Sequence, residues 1–171
     1  MSVTKQFNRI IESMGNQLVL TKISMPVKPL GLLYHQLFER NGKPSLDIAL
    51  DPKEGTIVYV TFILQDDPLT HFNVAPVTRD CEIQFKLPTQ EITTDNYHHF
   101  SRAEFIVAMC TKDLWILRKD IDTSLLECFP IDDKNKLLFK NGIFAGIVFE
   151  HLNDYELNQL HISGYNCDLV C

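Results

Sequence analysis

The residues with the chemistry to act as ligands, bases or nucleophiles are dispersed along this chain of 171 residues. Asp66, Asp67 and His71 fall in one connecting segment, QDDPLTHFNVAPVTRD, and carry the oxygen and imidazole donors that metal ions take. A site there needs a further donor delivered by the fold, and the segment reads instead as a strand connection, so no metal is assigned. His98 and His99 are adjacent, which points them in different directions on either regular element. Asp120 with Asp122, and Asp132 with Asp133, have the composition of acid/base or magnesium pairs. Such chemistry needs unequal environments and fixed separations that loop carboxylates rarely have. HExxH, CxxC, GxGxxG, GxSxG and the P-loop are all absent. Five cysteines and six histidines allow many nucleophile–base pairs, and none is singled out. No catalytic residue and no cofactor is therefore assigned. The enzymatic alternative is a small hydrolase or transferase with a dispersed His/Asp/Cys site drawing on His71, Asp67 or His151.

The elements that would position these residues are organised around 56–64, TIVYVTFIL. Both of its alternating sets are mostly apolar, which predicts a strand near the middle of a sheet, covered on each face. Residues 46–50 alternate and lead through DPKEG into it as a hairpin. Strands are also predicted over 18–24, 81–87, 142–149 and 155–162. Helical spacing of Val3, Phe7, Ile10, Ile11 and Met14 predicts a helix over 3–14, and LGLLYHQLFER reads as a second over 30–40 or, alternatively, as a strand entering a turn. The Ser101/Glu104 capping-box pattern opens a third over 102–115, with a strand beginning at 105–107 as the alternative. Gly142 and Gly146 mark a bulge or the close approach of a neighbouring helix. These elements predict one α+β domain spanning 1–171, with a mixed, mostly antiparallel sheet of about five to seven strands and two or three packed helices.

Charge is uneven. Residues 1–119 hold 13 basic and 13 acidic side chains, while 120–171 hold nine acids against Lys134, Lys136 and Lys140, so the net −6 lies in the last third. That sign repels nucleic acid backbones and anionic lipid and favours a basic protein partner. With no basic-then-apolar leader, no run long enough to span a bilayer and an odd cysteine count, a cytoplasmic protein with free thiols is expected. The bland account of the acidic third is a solvated face.

In the order and character of SLDIALDPKEGTIVYVTFIL, DIDTSLLECFPIDD and GIFAGIVFE, the layout resembles bacterial immunity proteins of the contact-dependent or polymorphic toxin type. The resemblance implies a cytoplasmic toxin inhibitor, not an enzyme, that binds a cognate toxin, often a basic nuclease, and blocks it. On that basis Asp120, Asp122, Glu127, Asp132 and Asp133 are the expected partner-binding carboxylates, with Trp115, Phe129 and Tyr155 as aromatic anchors. Strand addition at an open sheet edge is a second binding mode, and an adaptor or chaperone-like role a further alternative. Homo-oligomerisation is left open.

Overall fold

The computed structural model describes residues 6–26, 30–70, 75–79, 81 and 98–167. The first of two sheets contains β1 (Asn8–Gly15), β2 (Leu18–Ser24), β3 (Leu33–Phe38), β4 (Leu46–Leu50), β5 (Ile57–Gln65) and β8 (His98–Arg102), in the order β1-β2-β5-β4-β3-β8. The second contains β6 (Leu69–Thr70), β7 (Val77–Thr78), β9 (Phe105–Cys110), β10 (Asp113–Arg118), β11 (Glu127–Pro130), β12 (Asn135–Lys140) and β13 (Ile143–Phe149). Its order is β6-β9-β10-β13-β12-β11-β7. The helix α1 (Asp154–Ile162) packs on β1.

Period-two burial joins the sheets. Val19 and Ile23, Ile48 and Leu50, and Val60, Phe62 and Leu64 point inward from the first; Phe105, Val107, Met109, Leu114, Ile116 and Leu137 meet them from the second in one core. Phe62 and Phe105 touch edge-on across it at 5.3 Å between centroids. Each such side chain contributes about 1.5–3 kcal/mol on full burial, so inward alternation outweighs local helix propensity.

The two outer faces differ. On the second sheet Leu117, Leu126, Cys128, Leu138, Ala145 and Val148 are buried, with Trp115 and Ile121 packed against them. On the first sheet Ile10, Met14, Phe38 and Phe100 are exposed and Tyr34, Tyr59, Thr61 and Ile63 are half-buried. The strand predicted at 56–64 is β5, centrally paired with β2 and β4, but only its inward face is covered.

The α+β expectation is overturned: 53% of the described residues are in strands and 7% are helical. Residues 3–14 contribute β1, because Phe7 and Ile11 serve a strand's inner face as well as a helix stripe, and pairing with β2 decides between them. Residues 30–40 contribute β3, with Leu33 and Leu37 inward. Residues 102–115 hold β9 and the start of β10, joined by a tight turn at Thr111 (φ 56°) that has no glycine or proline to announce it. Residues 155–162, expected extended, are α1 instead. Asn153 accepts from the Glu156 amide while Glu156 accepts from the Asn153 amide, a capping box that starts the helix. Glu156 also takes two bonds of 2.7 Å from Arg9 of β1, tying the helix to the sheet edge.

The expected strand at 142–149 is β13, and Gly146 does allow a close approach, of a strand: a Cβ there would lie 2.2 Å from the Ile116 carbonyl oxygen. The strand expected at 81–87 lies outside the described residues apart from exposed Cys81. The thiol expectation is corrected at Cys110, which is disulfide-bonded, whereas Cys81, Cys128 and Cys167 keep their thiols. Among the described residues no helix is long and apolar enough to cross a membrane.

Candidate functional site

The open face of the first sheet gathers most of its rings where β3 and β8 run parallel. Tyr34 pairs in register with His98, Gln36 with Phe100 and Phe38 with Arg102, so all six side chains share the outer face. Tyr34 stacks on His98 with centroids 5.0 Å apart and planes 13° from parallel; His98 stacks on Phe100 at 5.8 Å and 6°. Phe38 lies 5.6 Å from Phe100, and Tyr59 of β5 lies 6.2 Å from Tyr34. Near-parallel aromatic rings at such distances are stacked with a lateral offset. His98 and Phe100 are exposed, and Tyr34 is half-buried.

Polar groups hold the ladder in place. Gln36 donates to Asp47 at 3.1 Å, Ser45 donates to the same oxygen, and His98 Nδ1 donates to Gln36 Oε1 at 3.3 Å. This last bond selects the His98 tautomer that is protonated at Nδ1. Lys22 of β2 sits over the Tyr59 ring at 4.9 Å. Burial, with Tyr34 and Asp47 adding to it, pushes the Tyr59 hydroxyl up to about 12, so it remains a neutral donor. On the opposite face of the same strand pair His35 and His99 meet through their Nδ1 atoms at 2.9 Å. Burial lowers the His35 pKa, and His99 and the Arg118 guanidinium lower it further.

Where the two strands end, a cleft of about 240 Å3 is lined by Phe38, Glu39, Arg40, Asn41, Gly42, Lys43 and Arg102. Its floor is fixed by Lys43, buried in ion pairs with Asp67 at 2.6 Å and Glu39 at 2.7 Å.

The residues expected to bind a partner lie elsewhere and do not form one surface. Asp120 is held by Arg118 at 2.5 Å, which keeps its carboxyl below the usual range. Asp122 is paired with Lys140 at 2.7 Å and bonded by Ser124, and its pKa falls well below the ordinary value. Glu127 is paired with Arg79 at 2.9 Å, and Asp132 accepts from the Lys134 and Asn135 amides in a turn. Asp133 is exposed. Trp115 packs on the outer face of the second sheet, Phe129 packs edge-on against Phe139 toward the core, and Tyr155 is exposed on α1. Most of this acidity is thus matched within the molecule.

The candidate catalytic residues are also apart. Asp67 serves Lys43 and the Gln65 amide, His151 is exposed and 4.0 Å from Asp113, and His71 lies outside the described residues. Among the described residues no three His, Cys, Asp or Glu side chains converge on a metal position. Burial raises the pKa of the Cys128 thiol, which suits packing rather than nucleophilic attack.

Sequence reasoning missed Tyr34, Phe38, Tyr59, His98 and Phe100. The signal was present in YHQLF and HHF, where Tyr34 and Phe38 stand four residues apart and His98 and Phe100 two, and it becomes visible only when both segments are extended. No protein-family model matches the chain and no curated protein matches it, so functional argument rests on this geometry.

Proposed function

We propose that the chain is a protein-binding module, of the immunity-protein kind its layout resembles, and that it engages its partner through the outer face of the first sheet. The observation that carries this is the difference between the two outer faces: among the described residues, one buries a second apolar cluster and leaves only scattered Val77, Leu125 and Ile143 exposed, while the other leaves a contiguous ring ladder in contact with water. Contiguous apolar surface of this sort marks interaction sites, and tyrosine and arginine are frequent among the residues that dominate binding energy. The acidic third is reassigned from docking to self-pairing. In the toxin-inhibitor reading, the ladder would cover the partner's working surface.

The test is site-specific photo-crosslinking in cells of the native source. A benzophenone side chain replaces Phe38 or Phe100 in two probes and Asp133 or Tyr155 in two controls. One discrete protein adduct at the ladder positions, absent from the controls and suppressed by excess unlabelled protein, is the expected result. The adduct is then assayed for toxicity with and without this chain. Adducts only at Asp133 or Tyr155 would overturn the assignment of the face.

A further inference from the structure

Three of the five arginines are matched with carboxylates, Arg9 with Glu156, Arg79 with Glu127 and Arg118 with Asp120. The remaining two, Arg40 and Arg102, are both exposed, and among the described residues neither guanidinium has a hydrogen-bond or ion-pair partner, Arg40 being bonded only through its carbonyl, which accepts from the Lys43 amide. Both line the same cleft. They arrive there from different parts of the chain, Arg40 on the β3–β4 connection and Arg102 at the end of β8. The third cation in the cleft, Lys43, is already paired with Glu39 and Asp67. The two free guanidiniums therefore leave the cleft with net positive charge in a molecule of net charge −6.

From this juxtaposition we infer that the cleft is an anion subsite that receives an aspartate or glutamate side chain from an acidic peptide segment of the partner. The inference rests on the protein-binding reading and reverses the charge expected of the contacting segment. Guanidinium forks match a carboxylate in bidentate geometry. At about 240 Å3 the cleft is smaller than the roughly 300–1,000 Å3 that small-molecule ligands occupy, and it suits a single side chain. Phe38 lines the cleft and also touches Phe100, so an acidic residue seated between the arginines would place its apolar neighbours against the ring ladder. Arg102 lies directly opposite Phe38 in the strand register, which fixes the spacing between charge and ring.

The test uses two nonapeptide pools that are identical except for the central pair, Asp-Glu in one and Asn-Gln in the other, with flanks drawn from Leu, Phe, Ser and Gly. Each is titrated into the full chain while the arginine Nε–Hε resonances are followed by NMR. The Asp-Glu pool should shift Arg40 and Arg102 and spare Arg79 and Arg118, the Asn-Gln pool should shift neither pair, and R40Q/R102Q should weaken binding at least tenfold. Equal shifts from both pools, no shift from either, or equal movement of all surface arginines would overturn the inference. So would reproduction of the shifts by acetate or inorganic phosphate at equal concentration, which would make the cleft a small-anion site. The ladder crosslink is then repeated in R40Q/R102Q. An adduct that persists there, after a negative peptide result, retires the cleft and leaves the binding face standing. Loss of the adduct only when the ladder itself is altered separates the two claims in the same way.

Discussion

Replacing Lys43 with methionine removes an ammonium from beneath the cleft while keeping an unbranched stem in its place. The Lys43 side chain is 1% exposed, Asp67 9% and Glu39 16%, so the change strands two carboxylates with little access to water. It also removes the ammonium 5.3 Å from the centre of the Phe62 ring. Taking one partner from a buried pair costs about 3–5 kcal/mol, against about 0–1 kcal/mol for an exposed pair. For a domain of this size each kcal/mol moves the Tm by about 2–4 °C, so K43M should melt about 6–20 °C below the parent protein. Thermal and urea unfolding of K43M, D67N and K43M/D67N provide the check. Because the two residues touch, the double variant should be more stable than the sum of the single losses by at least about 1 kcal/mol. A K43M loss under about 1 kcal/mol, or strict additivity, would refute the buried-pair account of how the cleft floor is held.

Three more outcomes follow from the fold. Gly146→Ala should lower stability by about 1–3 kcal/mol or more, because its Cβ would meet the Ile116 carbonyl oxygen of the neighbouring strand at 2.2 Å; a urea midpoint within error of the parent would contradict the close approach. Asn153→Ala should cost about 0.5–2 kcal/mol by removing the helix cap, and Asn153→Gly only a few tenths, read by the same unfolding curves. Stability should also fall with pH through His35. Its folded pKa lies below the ordinary 6.5, so the native state holds fewer protons than the unfolded chain; the contribution is full above 6.5 and is lost as pH drops below it. His35 faces His99 on β8 and Arg118 on β10, which is itself paired with Asp120. H35Q should flatten the slope of urea midpoint against pH between about 7 and 5.5, and an unchanged slope would remove His35 as its source.

The sequence was legible where one period was available. Residues 46–50, 56–64 and 142–149 have apolar sets that suit only a buried strand, and all three are strands. It misled where two periods fitted the same residues. Phe105, Val107 and Met109 alternate as a strand, yet Phe105, Ala108 and Met109 also form a helical stripe, and only pairing with Asp113–Arg118 separates the two. The parallel pairing of β3 with β8 joins segments more than 60 residues apart, and nothing in local composition announces it. That is why the ring ladder and the Arg40/Arg102 cleft were invisible. The carboxylates at 120–133 were conspicuous as a run, but their partners Arg118, Lys140 and Arg79 are supplied by turns and by strand register. A count of charges could not show that they are already matched.

The most direct test of the binding face is the affinity of the crosslinked partner, once purified, for three forms of the protein measured by isothermal titration. These are the parent, Y34A/F100A, and a form with Asp120, Asp122, Asp132 and Asp133 changed to lysine, each checked for fold by circular dichroism. Two central ring residues lost from an interface cost about 2 kcal/mol or more each, so Y34A/F100A should bind at least about 100-fold more weakly. The lysine form should stay within about threefold of the parent, since rim charges contribute little. The opposite pattern, with the ring variant near parental affinity and the lysine form losing its partner, would return the site to the acidic third and contradict the account.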